Sequence, residues 1–469
     1  MDSNVIRSLD EEIAAPESER APARRHADGE GRVIAKNAES RLYRLIWRWH
    51  FYAGMIVAPV LIVVSLTGGL YVFREELERI FYPRLMFVTP VGETGAYARQ
   101  VAGAAAVAPA GARLESLHIS ADPTRASVVA FHAGGDRYTY VFVNQYTNAV
   151  QGQREYGDSF FDVVLKIHRT LWAGSLGRIV VELSTSWGIV LIVTGLYLWW
   201  PRRGVAAGVW RPRMRGKSYI VWRDWHAVPG FYLSLVTALI MATGLFFTLL
   251  FGRGYLFMAY GTKSYPASYV NPPKSSQQTG AVPITIDQVI NIARQQQSER
   301  ELYIGFPEQP TDAWSVYAGE NASPSSLSQL YIDQYSGKVL DIIRWRQLSA
   351  VAKVQLSAYP IHIGSIYGLP TKILAALACL LIVAMSVTGA AMWLIRRPKG
   401  KTGFPLKPRG PKPAAWLIGV ICLLGALMPA VGASLALIVS GDWLISRLRR
   451  KKRRNTSQGR RMGSHNDGR

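Results

Sequence analysis

The chain has 469 residues and a formal net charge of +23, with 49% hydrophobic but only 18% charged residues, below the quarter typical of soluble domains. Its apolar residues are bunched into runs of the length that crosses a bilayer, because a hydrocarbon core about 30 Å thick takes about 20 helical residues. A soluble enzyme is thereby excluded, and so is nucleic acid as the reason for the charge: the basic residues flank the apolar runs, as membrane topology requires, and no recognition motif accompanies them.

Residues 1–40 are polar and Ala/Glu/Arg-rich with no apolar run. They are expected to form a disordered cytoplasmic tail without a cleavable signal peptide. A first span is predicted at about 49–73, after Arg41, Arg44 and Arg48. A polar segment, 74–176, follows it, then a second span at about 179–200. The loop 204–216 lies in a cluster that includes Arg202, Arg203, Arg211, Arg213, Arg215, Lys217 and Arg223. A third span at about 228–251, a polar segment 252–370 and a fourth span at about 373–395 come next. The loop 398–413 adds another basic cluster, from Arg396 to Lys412. By the positive-inside rule the three clusters are cytoplasmic, which puts 74–176 and 252–370 outside. The last apolar stretch, 414–446, is interrupted by Pro429 and Gly432. It is expected to be a short membrane hairpin returning the basic tail 447–469 to the cytoplasm, although one long helix is the alternative.

Each outer segment reads as α+β, with short helices over Gly95–Ala106 and Thr285–Gln297 and strands within Ser127–Val143 and Trp314–Ile332. Each ends in a similar hairpin, 142–150 and 331–339, whose Thr147-Asn148 and Ser336-Gly337 pairs sit where a tight turn needs positive φ. Cys379 and Cys422 lie inside apolar runs and read as small buried hydrophobes, not a disulfide.

The hairpins belong to a larger duplication. Trp49-His50 opens the first span and Trp225-His226 the third, each followed four residues later by a glycine (Gly54, Gly230) and eighteen residues later by the glycine of a Thr-Gly pair (Gly68, Gly244). His168 and His362 precede the second and fourth spans, and the glycines of Thr194-Gly195 and Thr388-Gly389 follow each at 27 residues. Arg202-Arg203 and Arg396-Arg397 close these spans at equal distances. The chain thus consists of two parallel repeats, 41–203 and 217–397, plus a C-terminal extension.

The chain has eight histidines. His26 and His465 lie in polar tails, and His118 and His132 have no counterpart in the other repeat. His50, His168, His226 and His362 recur in register. One histidine near a helix end is an ordinary interfacial residue, but four in register are not, because ionisable groups in a membrane are costly. A pseudo-two-fold axis along the membrane normal would pair His50 with His226 and His168 with His362, giving two bis-histidine sites, one per leaflet. Imidazole suits haem iron, which takes an axial donor from each side, while two histidines alone leave tetrahedral zinc short of ligands. Gly54 and Gly230, on the face of their histidines, would leave room for a flat ring. Trp49, Tyr52, Trp172, Trp225, Tyr232 and Tyr359 are candidates to pack on it, and Arg48, Arg169 and Arg223 to bind its propionates. The Thr-Gly pairs are expected to serve helix packing. No nucleotide-binding motif is present, so a haem protein of this kind that transferred electrons would need an external donor, a quinol or a flavoprotein.

The segment Arg44–Phe73, with Trp47-Arg48-Trp49-His50 and Leu66-Thr67-Gly68-Gly69, resembles the first helix of the PepSY-associated transmembrane family. So do Lys166-Ile167-His168 with Thr194-Gly195-Leu196-Tyr197, and the terminal Asp442-Trp443. The resemblance covers roughly residues 41–446, and the outer segments are similar to PepSY domains. It implies a mainly α inner-membrane protein: a duplicated transmembrane helix–periplasmic α+β domain–transmembrane helix unit forming a four-helix core, plus the C-terminal hairpin. It also implies two haem b groups, with His50, His226, His168 and His362 as axial ligands, and electron transfer to a periplasmic ferric siderophore or other chelate. No catalytic residue is assigned. Two other readings stay open: a non-enzymatic binding protein for a transporter or protease, and a metal or siderophore permease. The scarcity of charge within the apolar runs weighs against a permease.

Overall fold

The computed structural model describes residues 23–201, 208–276, 280–296, 301–319, 324–405 and 415–438, together with 440, 441, 444 and 447. Helix α1 runs from Ala23 to Val72 without interruption, and its apolar part is Leu42–Val72. Residues 23–40, expected to be disordered, thus continue the helix, as their Ala-, Glu- and Arg-rich composition permits. After α1 come α2 (Arg74–Phe81), α3 (Pro83–Met86) and α4 (Tyr97–Val107). Strands β1 (Arg113–Ile119), β2 (Ser127–His132), β3 (Tyr138–Val143) and β4 (Val150–Glu155) form a meander. Helix α5 (Phe160–Thr170) leads into the spanning helix α6 (Gly174–Trp199).

The second repeat follows the same plan with one difference. Its first span is broken into α7 (Ser218–Tyr232) and α8 (Ser234–Leu245), inclined at 67°. This corrects the expected single helix at 228–251. The break has a local cause. Pro229 lies inside α7, close before the break, without an N–H, and Ser234 Oγ donates to the Phe231 carbonyl across it at 2.7 Å. Then follow α9 (Leu250–Gly261), α10 (Ala267–Val270), α11 (Ile286–Gln296), strands β5 (Leu302–Gly305), β6 (Trp314–Ala318), β7 (Ser328–Ile332) and β8 (Val339–Arg344), α12 (Ala350–His362) and the spanning α13 (Leu369–Arg396). Among the described residues three helices are long and apolar enough to cross a membrane, and the bent pair, taken as one span, makes a fourth.

The two outer segments are not separate domains. Their meanders share one eight-stranded antiparallel sheet, ordered β4-β3-β2-β1-β5-β6-β7-β8. At the seam Leu117 of β1 faces Ile304 of β5. The registers run outward symmetrically from there, Leu117 to Val129 to Val141 on one side and Ile304 to Val316 to Leu330 on the other. All six residues are fully buried, and α4 and α11 cover this face together. Backbone amides of Tyr97 and Ala98 in one repeat donate to the Asp287 carboxylate of the other at 2.7 and 3.0 Å. The pseudo-dyad therefore passes through the Leu117–Ile304 pair. The turns behave as expected, with φ of 57° at Asn148 and 71° at Gly337.

In the membrane part, α1 packs against α6 and α13, and α7 and α8 pack against α13 and α6. The last apolar stretch is α14 (Ala415–Leu427) followed by a helix at Pro429–Ile438. Gly425 and Gly432 lie against one another, far closer than the roughly 10 Å that seven residues would span along one helix. The stretch is therefore a hairpin, and Trp187 Nε1 donates to Ser434 Oγ to fasten its second arm to α6. Cys379 is half-buried against Gly68 and Gly69, and Cys422 is exposed, not buried. Arg202, Arg203, Asp442 and Trp443, and the tail after Arg447, lie outside the described residues.

Candidate functional site: two histidine pairs

The four repeated histidines come together in two pairs, each with one member from each repeat. The ring centres of His50 and His226 lie 6.4 Å apart, and those of His168 and His362 lie 6.1 Å apart. His50 is on α1 and His226 on α7. His168 and His362 are not on the spanning helices: they lie at the ends of α5 and α12, the helices just before them. Ser159 and Ser349 cap the N-termini of these two helices, accepting from the Asp162 and Ala352 amides. A turn with φ of 47° at Leu171 and 60° at Trp172 then redirects the chain from α5 into α6.

Each histidine is seated on a Thr-Gly pair of a neighbouring helix. Thr194 Oγ1 gives its own proton to the Val190 carbonyl at 2.8 Å, so at 2.9 Å from His50 Nδ1 it accepts. Thr388 does the same for His226, donating to Ala384 at 2.6 Å and accepting from Nδ1 at 2.8 Å. His168 Nδ1 donates to the Val64 carbonyl and His362 Nδ1 to the Ile240 carbonyl, both at 2.9 Å. Because a carbonyl and a hydroxyl that has spent its proton only accept, all four imidazoles carry the proton on Nδ1. Nε2 keeps its lone pair in each, the tautomer that binds a metal.

The glycines of these pairs make the seats possible. A Cβ at Gly68 would stand 2.9 Å from His168 Cε1, at Gly244 2.8 Å from His362 Cε1, and at Gly195 3.3 Å from His50 Cε1. From the sequence the Thr-Gly pairs are expected mainly to serve helix packing. Their fixed distance from each histidine was the available signal, but only the tertiary fold shows that each pair serves a histidine on another helix.

A metal–imidazole bond of about 2 Å, plus roughly 1.1 Å from Nε2 to the ring centre, would place two coaxial ligand rings about 6.3 Å apart. Both pairs have that spacing. Among the described residues no third His, Cys, Asp or Glu joins either pair. The donor set thus suits the two axial positions of a metal whose other ligands come from a planar macrocycle. Gly54, one turn from His50, leaves a gap in which a Cβ would meet only Leu191, at 3.9 Å. A Cβ at Gly230 would stand 3.2 Å from the Met385 sulfur.

The expected accessory residues are divided. Trp49 stacks on Trp187, Tyr359 meets Phe247, Trp172 lies under Lys166 and Arg48 lies over Tyr52. Trp225 and Tyr232 are largely exposed. Arg223 is bound to Asp224, which is fully buried and also holds Arg213, so it is not free for a propionate. Phe247, which sequence reasoning missed, is the aromatic beside His362, with ring centres 5.7 Å apart.

Along α1 the pairs are separated by the fourteen residues from His50 to Val64, roughly 21 Å of helix. Val57, Leu61 and Met241 fill the space between with apolar packing. The family model for the PepSY-associated TM region matches residues 47–396. No curated protein matches the chain.

Proposed function

The chain belongs to the PepSY-associated transmembrane family, and from that premise we propose that this multi-pass protein is a haem-containing reductase of the bacterial inner membrane. It passes electrons across the membrane to a ferric chelate, such as a ferric siderophore, in the periplasm. One haem b is assigned to His50 and His226 and a second to His168 and His362. The observation carrying this reading is the pairing of one histidine from each repeat twice over, at ring-centre distances of 6.4 and 6.1 Å, with every Nδ1 engaged and no hydrogen bond to any Nε2 among the described residues.

When bound, haem supplies the one-electron chemistry. The chain's residues orient and insulate. Thr194, Thr388 and the carbonyls of Val64 and Ile240 hold the rings and raise the basicity of Nε2. The layer of Val57, Leu61 and Met241 excludes water between the pairs. In this topology the N-terminus is cytoplasmic, the sheet is periplasmic, and the donor, a quinol or flavoprotein, acts near His50 and His226. Reduction of Fe(III) to Fe(II) weakens the hold of hard oxygen ligands and frees the metal.

The test is the absorption spectrum of detergent-purified protein, oxidised and dithionite-reduced, with haem quantified. Two low-spin bis-histidine b haems per chain are expected, falling to one in His226→Ala. Folded protein without haem from haem-replete cells would overturn the reading and favour a binding module.

A further inference from the structure

The basic residues beside the sheet-proximal histidine pair divide into two groups. Most are neutralised. Arg74 binds Glu78, Arg125 binds Glu78, Arg79 binds Asp122, and Lys372 binds both Glu75 and Glu76. Three arginines are not, and Lys166 lies over the Trp172 ring instead of in an ion pair. Among the described residues Arg169, Arg178 and Arg253 form no ion pair, and Arg178 is within electrostatic reach of the other two and of Glu182. Arg169 directly follows His168. Arg178 Nη2 donates to the Phe247 carbonyl at 3.3 Å, and the Phe247 ring adjoins His362. Arg253 lies on α9, which packs against α6.

The carboxylate nearest in sequence to Arg178 is already committed. Glu182 is fully buried and accepts from the Leu250 and Phe251 amides at 2.7 and 2.8 Å, so it serves the first turn of α9. Arg178 Nε is shielded from solvent and has no partner. Buried hydrogen-bonding groups are rarely left in that state. Arg178 also feels repulsion from Arg169 and Arg253, offset in part by Glu182.

We infer that Arg169, Arg178 and Arg253 form an anion site beside the His168–His362 pair that binds carboxylate groups. Guanidinium matches carboxylate in planar, charge-assisted pairs. Arg178 is half-buried, while Arg169 and Arg253 are exposed and reachable. Carboxylates could reach it from two sources, the haem edge or an anionic chelate; the first rests on the haem reading above, the second does not.

The test compares wild-type protein with Arg178→Gln, which keeps a donor for the Phe247 carbonyl, and with Arg169→Gln/Arg253→Gln as a second variant. Citrate binding is followed by calorimetry, and the midpoint potential of the haem on His168 and His362 by redox titration. If an exogenous carboxylate fills the site, wild-type protein binds citrate and each variant binds it at least tenfold more weakly. If haem carboxylates fill it, citrate does not bind, and loss of the guanidinium lowers the midpoint potential or the haem content of that pair alone, with Arg178→Lys restoring it. Arginine-dependent citrate binding by haem-free protein would keep the site while removing the haem reading. Variants that match wild type in citrate binding, potential and haem content overturn the inference.

Discussion

Thr194 and Thr388 are the residues whose contribution is easiest to isolate. Each hydroxyl passes its proton to its own helix and takes one from a histidine on another. Valine keeps the shape and removes the acceptor, leaving a buried Nδ1–H unpaired. Loss of such a supporting hydrogen bond costs roughly 10–100-fold in metal affinity. Thr194→Val and Thr388→Val are thus expected to deplete haem from the His50–His226 pair. The His168–His362 pair, held by backbone carbonyls, keeps its haem. Haem per chain and the reduced spectrum check this, and equal loss at both pairs would show that the threonines act on the whole bundle.

At the scale of elements, the 331–339 hairpin shows how a turn is fixed. Asp333 Oδ1 accepts from the Tyr335 and Ser336 amides, and Oδ2 accepts from Ser276. Asn144 makes the same turn in the first repeat, accepting from Tyr146 and Thr147. Burial alone would raise the Asp333 pKa, but these hydrogen bonds outweigh it and hold the carboxyl below its usual range. A depressed native pKa stabilises the fold above the unfolded value, about 3.9, and that contribution fades as pH falls through the native value. Asp333→Asn preserves the turn, loses the bond to Ser276, and is expected to cost about 1 kcal/mol at pH 7. Its melting temperature should also fall less steeply than wild type below about pH 4. Parallel acid limbs would mean that Asp333 does not carry this dependence.

For the whole molecule, both histidine pairs and the β1–β5 seam take one partner from each repeat. Neither 41–203 nor 217–397 contains a complete site. Each half expressed alone is expected to lack bis-histidine haem, and the two co-expressed should recover it. Haem in a lone half would mean that the pairs form between copies of one repeat.

The spans, the duplication, the four histidines and both hairpin turns were legible because each depends on local pattern: apolar run length, exact spacing, or a residue type suited to positive φ. The break after Tyr232 was hidden, since a proline inside an apolar run need not end a helix: Pro229 precedes the break, while Pro59 lies in the unbroken α1. The helix over residues 23–40 was hidden for a related reason, because a polar composition distinguishes poorly between helix and coil. Fusion of the meanders into one sheet also escaped the sequence, because β1 and β5 pair edge to edge across 183 residues, counted from Ile119 to Leu302, and either strand could have ended a separate domain. The Thr-Gly seats and the unpaired arginines belong to the same class: their partners are distant in sequence. Sequence determined which residues repeat, and the tertiary structure alone decided what each repeated residue faces.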